Sequence, residues 1–167
     1  MKDYKILFCD LDDTLISRIE GQVFPIGVWD TTLRLDVWNA IKKLNPSYVC
    51  IVTNQSGIEG GFVNEKHFIK KCEFIKASLS EYLNKSDDSI DFIYCSTRDN
   101  TCKNRKPNPG MLEEFCKKNN LENKEDCLMI GDASGEDYWS DSDKMTAMNF
   151  GIDYIDVDEF TEKMNRL

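Results

Sequence analysis

The stretch YKILFCDLDDTLIS, residues 4–17, runs from a short apolar segment straight into three carboxylates, Asp10, Asp12 and Asp13, within four positions. Residues 4–9 have the length and apolar character of a strand buried on both faces. Like charges this close repel, and each raises the cost of ionising the next. The crowding makes physical sense if a cation sits among them, or if one of the carboxylates is there to react.

Working outward, residues 48–53 (YVCIVT), 90–95 (IDFIYC) and 126–131 (DCLMIG) repeat the same short apolar run, and 153–157 (DYIDV) is a weaker fifth. Helical periodicity lies between them. The clearest case is 65–83, where Phe68, Cys72, Ile75, Leu79 and Leu83 follow the 3.6-residue period and Asn64 suits the N-cap. A second helix is expected from Asn108 as N-cap with Pro109 at the first helical position, and others over 33–44, 142–150 and 158–165. Apolar strands alternating with helices predict an α/β fold, a Rossmann-like three-layer sandwich with a parallel sheet. In such sheets, sites form beyond the carboxyl ends of the strands. Those ends carry DLDDT, TNQSG and GDASGED after the first, second and fourth strands, and a basic segment ending in RKPNPG after the third.

Composition sets outer bounds. The 167 residues fit one domain, 1–167, with a net charge of −9, and no apolar run approaches a membrane span. Seven cysteines, an odd number, suggest reduced thiols and a cytoplasmic protein. The acidic total argues mildly against a protein that coats nucleic acid. Yet the charge is uneven: 132–143 holds five acids and no base, and 98–106 holds four bases against one acid.

The chemistry follows from the strand ends. Asp10, Asp12 and Asp132 would form an oxygen-rich site suited to Mg²⁺. Thr53 and Asn54 would offer a hydroxyl and an amide to an anion, and Lys106 a positive charge. Metal, anion donors and lysine around a free carboxylate describe a phosphoryl-transfer site in which the carboxylate attacks phosphorus. Each motif alone is common in turns and loops; their order and agreement with four strand ends make the joint reading specific.

In that order, DLDDT, TNQSG, KPNPG and GD resemble the four motifs of the haloacid-dehalogenase-like (HAD-like) phosphatases across the whole chain. The resemblance implies Asp10 as nucleophile and Asp12 as the acid/base. It also implies Thr53, Asn54 and Lys106 around the phosphoryl oxygens, and Mg²⁺ held by Asp10, the main chain of Asp12 and Asp132. Between 16 and 32 there is room only for a small hairpin, so a HAD-like core with a minimal cap and an open site is expected. VFP after the first motif and GDASG…SD…AMNFGI are similar to the 3′-phosphatase domain of polynucleotide kinase/phosphatase, which implies a nucleic-acid 3′-phosphate end as substrate. On that match Asp143 is the second acid of the fourth motif, with Asp137 the competitor by spacing. Asp13 stands in place of a common glycine, and Glu136 in place of an arginine.

TNQSGI and YCS…C…RKPNPGML are similar also to heptose-bisphosphate and histidinol-phosphate phosphatases, which implies a small phosphorylated metabolite instead. Those enzymes hold zinc in the loop before the lysine motif. Here Cys95 and Cys102 remain, but Asn104 occupies a ligand position, and two thiolates are too few for a structural zinc. Arg98, Lys103 and Arg105 are either a solvated loop or contacts to substrate phosphates. Trp29, Tyr138 and Trp139 are candidates for base stacking, with a packing role favoured for Trp29. His67 is expected to be structural or exposed. A catalytically idle phosphate-binding relative is the reading from another class; intact Asp10, Asp12, Lys106 and Asp132 argue against it.

Overall fold

The computed structural model describes residues 2–21, 25–135 and 140–166. Five strands form one parallel sheet: β1 (Ile6–Cys9), β4 (Tyr48–Asn54), β5 (Ile90–Cys95), β6 (Cys127–Gly131) and β7 (Asp153–Asp156), in the order β5-β4-β1-β6-β7. Strand β1 is central and buried at every position. Leu7 and Cys9 face one core while Ile6 and Phe8 face the other, so no polar residue can alternate along it. Strand order reverses around β1, which is where a crevice opens at the carboxyl edge.

Helices α1 (Leu35–Leu44), α3 (Glu65–Leu83) and α6 (Val157–Asn165) bury Trp38, Ile41, Phe68, Ile75, Leu79 and Phe160 on one face of the sheet. On the other, α4 (Gly110–Lys118) and α5 (Ser142–Phe150) contribute Met111, Phe115 and Phe150, and both aromatics meet Phe8 edge-on. Asn64 caps α3 as expected, its side chain accepting from the Lys66 and His67 amides. Helix α4 departs from expectation: Pro109 is the N-cap and Gly110 the first helical residue. The Asn108 amide instead donates to the Asn100 and Cys102 carbonyls and closes the preceding loop.

Strands β2 (Ile16–Arg18) and β3 (Thr31–Leu33) pair antiparallel as the expected hairpin. Its described tip is held by Asp30, whose buried carboxylate accepts from the Ile26 and Gly27 amides. A single-turn helix, α2 (Ser56–Glu59), follows β4. Among the described residues no helix is long and apolar enough to cross a membrane.

Candidate active site

Asp10 is the first residue past β1, where its amide donates to the Ile130 carbonyl at 3.0 Å. The chain then turns sharply, the Thr14, Leu15 and Ile16 amides all pointing at the Leu11 carbonyl. That turn puts Asp13 at φ 57°, in the left-handed region where glycine is most at ease and Asp is tolerated. The departure from glycine at Asp13 is thus compatible with the turn.

Lys106 lies between two carboxylates, its Nζ 2.5 Å from Asp10 Oδ1 and 2.6 Å from Asp143 Oδ1. All three groups are nearly inaccessible. Asp143 reaches inward from the first turn of α5, and its Oδ2 accepts from the Ala133 amide. It can do so because Gly131 lacks a side chain; a Cβ there would overlap the Asp143 carboxylate. One oxygen each of Asp10, Asp132 and Asp143 lies within 4.8 Å of the others. Asp143 thus lies beside Asp10 and Lys106; its competitor by spacing, Asp137, lies with Glu136, Tyr138 and Trp139 outside the described residues.

Burial pushes the Asp10 carboxyl well up, Lys106 pulls it back, and Asp143 and Asp132 push it up again. Asp132 rises to about 6, chiefly through burial and then through Asp143. Burial opposes the charge on Lys106, but Asp10 and Asp143 outweigh it and raise its pKa. Three carboxylates against one ammonium leave an excess of negative charge in a largely buried site. Hard oxygen donors with unbalanced charge fit a divalent ion such as Mg²⁺.

The Asp12 carboxylate points away from this cluster. Its Oδ2 accepts from Gln55 Nε2 at 2.8 Å, and its Oδ1 lies 3.9 Å from the ammonium of Lys71, a fully buried residue of α3. The acid set is thus Asp10, Asp132 and Asp143, and any metal contact from Asp12 falls to its main chain. Gln55 Nε2 also donates to Thr53 Oγ1 at 2.9 Å, which leaves the buried Thr53 hydroxyl hydrogen for another acceptor.

Asn54 is engaged with the lysine segment. Its side-chain amide accepts from the Lys106 amide and donates to the Lys106 carbonyl, both at 3.0 Å. These bonds clamp the lysine segment and engage one of the two Nδ2 hydrogens. Arg105 is likewise engaged, bracing its own loop through the Asn100 side chain and the Thr97 carbonyl. Lys103 is exposed beside a shallow cleft with Asn100, Pro109 and Glu113, none of them a site residue. Arg98 is exposed with its guanidinium 5.7 Å from the Phe62 ring centroid, and Phe62 is 74% exposed.

Trp29 is not core but 66% exposed, edge-on to the exposed His67 ring at 5.2 Å. The Cys95 and Cys102 sulfurs lie 3.9 Å apart, while the Asn104 amide donates to Glu114. Gln55 and Lys71 escaped the sequence reading. Gln55 lay inside a recognised motif without a role. The signal for Lys71 was a charge three residues after Phe68, on the buried arc of an amphipathic helix.

The family model described as polynucleotide kinase 3 phosphatase matches residues 5–161. A D-glycero-alpha-D-manno-heptose-1,7-bisphosphate 7-phosphatase of Campylobacter jejuni is 39% identical over 134 residues, covering 77% of this chain and 71% of its own. A protein of Autographa californica nuclear polyhedrosis virus, itself uncharacterized, is 29% identical over 170 residues, covering 96% and 87%. Among solved structures, the D,D-heptose 1,7-bisphosphate phosphatase of B. bronchiseptica, complexed with magnesium and phosphate, superposes with a TM-score of 0.66 at 18% identity. It covers 97% of this chain and 98% of that one. The chain is a HAD-like phosphatase, and it belongs to the polynucleotide kinase 3 phosphatase family.

Proposed function

We propose that this phosphatase is a Mg²⁺-dependent phosphomonoesterase with Asp10 as nucleophile, acting on a small phosphorylated sugar of the heptose-bisphosphate kind. The observation that carries the reaction is the buried Asp10–Lys106–Asp143 cluster at the switch point of the sheet. An Asp10 carboxylate oxygen attacks phosphorus and forms an aspartyl phosphate, while the leaving alkoxide takes a proton from Asp12. Water then gives a proton to Asp12 and attacks the same phosphorus, releasing inorganic phosphate and restoring the Asp10 carboxylate. Lys106 offsets charge on the phosphoryl oxygens, and Thr53 donates its hydroxyl. Mg²⁺, held by Asp10, Asp132, Asp143 and the main chain of Asp12, would supply charge neutralisation at phosphorus.

The substrate reading is supported by the heptose-bisphosphate phosphatases of Campylobacter jejuni and Haemophilus influenzae, at 39% and 30% identity. A second reading, removal of a 3′-phosphate from a nucleic-acid end, is favoured by the family match over residues 5–161. Exposed Arg98 and Phe62 suit either, as a cation for a second phosphate or as a stacking surface for a base. The test is phosphate release with Mg²⁺ from heptose 1,7-bisphosphate, histidinol phosphate and 3′- and 5′-phosphorylated oligonucleotides. Highest kcat/KM on the heptose bisphosphate is expected; a strong preference for the 3′-phosphorylated strand would replace the sugar reading with the second one.

A further inference from the structure

Lys71 sits in the middle of α3 with no solvent exposure, on the arc that otherwise buries Phe68, Cys72, Ile75 and Leu79. A leucine or methionine would pack there without the desolvation cost of an ammonium. Its charge meets few partners. Nζ donates to the Pro25 carbonyl at 2.7 Å and lies 5.4 Å from the Phe68 ring centroid. Across from it, Asp12 Oδ1 is buried with no hydrogen-bond partner, 3.9 Å away, while Oδ2 is held by Gln55. Two under-satisfied groups of opposite charge therefore face each other beside the nucleophile. Pro25 belongs to the segment joining β2 to β3, the part of which from Ile26 onward is fixed by Asp30.

We infer that Lys71 is a positioning residue for Asp12: fixed on the hairpin by the Pro25 carbonyl, its ammonium aims the free Oδ1 while Gln55 holds Oδ2. This rests on the proposed role of Asp12 in phosphoryl transfer. The carboxylate is thereby kept in one orientation between the leaving oxygen and the incoming water. Lys71 thus ties the hairpin segment at Pro25 to the Asp12 side chain, beside the backbone bridge between Asp12 and Ile16 of β2.

The test is a double-mutant cycle of Lys71→Met and Asp12→Asn, with p-nitrophenyl phosphate and a simple alkyl phosphate as substrates. In the otherwise native protein, Lys71→Met should lower kcat about 10-fold or more on the alkyl phosphate, whose leaving group needs a proton. KM should stay within about 2-fold, and the release of the first equivalent of p-nitrophenolate, which needs none, should be affected less. In the Asp12→Asn background the same change should cost nothing further. Lys71→Gln, which can still donate to Pro25 but carries no charge, should match Lys71→Met in kcat.

An unchanged kcat in a folded Lys71→Met protein would overturn the inference, as would a full additional loss on top of Asp12→Asn. Failure of both Lys71 variants to fold would make the lysine a structural charge and overturn it too. Absence of phosphate release from any substrate by the native protein would instead overturn the phosphatase mechanism, and the inference with it.

Discussion

Replacing Lys106 by methionine keeps much of the side-chain volume and removes the charge between Asp10 and Asp143. Both contacts are short, 2.5 and 2.6 Å, and both carboxylates are buried, so neither can be rescued by water. Breaking a buried pair by deleting one partner costs about 3–5 kcal/mol, because the remaining charge is left uncompensated. Two carboxylates are stranded here, which places the expected loss at the upper part of that range near neutral pH. The pH dependence follows from Asp10. Its folded pKa is already raised by burial and rises further without Lys106. The folded state then holds a proton that the unfolded chain releases. Stability is therefore greatest below the unfolded carboxylate pKa and is lost as pH rises through the folded one.

Urea unfolding of Lys106→Met and native protein in EDTA, at about pH 5 and about pH 8, measures this difference. The variant's deficit should at least halve at the lower pH. Excess Mg²⁺ should recover more stability in the variant than in the native protein, since the acid cluster is more negative by one charge. A deficit below about 1 kcal/mol at both pH values would refute the reasoning, because the three groups would then not be a tightly coupled buried cluster.

Gly131→Ala places a Cβ against the Asp143 carboxylate and should lower kcat/KM by about 100-fold through misplacement of that group, as steady-state phosphate release would show. Asn54→Ala removes both bonds to the Lys106 backbone; thermal or urea unfolding should register a loss of about 2–3 kcal/mol. Because Asp132 titrates at about 6, Mg²⁺-dependent stabilisation should weaken as pH falls from about 7 to about 5, followed by the shift in melting temperature with and without the ion.

The sheet was legible because strands buried on both faces leave an uninterrupted apolar run, as in β1, β6 and the middle of β4, while the edge strand β5 stays mostly apolar around Asp91. Asp10 and Asp132 were legible because charges just past such runs have few structural reasons to be there, and Lys106, eleven residues past β5, because it opens the KPNPG motif. Contacts made by side chains distant in sequence were not. Asn54 reads as an anion donor, and its bonds to the Lys106 backbone, 52 residues away, show only in the structure. Arg105 reads as either a loop residue or a substrate contact, and its bonds within its own loop show only in the structure. Asp143 and Asp137 are not separable by spacing alone, and that Asp143 turns inward shows only in the start of α5 and the missing Cβ of Gly131. Trp29, expected in a core or packing role, is 66% exposed and packs edge-on against His67 instead of entering the core. The Asn108–Pro109 start of α4 shifted by one residue because the Asn108 amide found loop carbonyls to close.

The covalent role of Asp10 is the claim on which the rest depends. Acid quenching during turnover of a phosphate ester radiolabelled at phosphorus, followed by peptide mapping, tests it directly. The account predicts an acid-stable phosphoryl group on Asp10 in the native protein, and neither that adduct nor phosphate release in Asp10→Asn. Mg²⁺-dependent turnover that survives Asp10→Asn would contradict it.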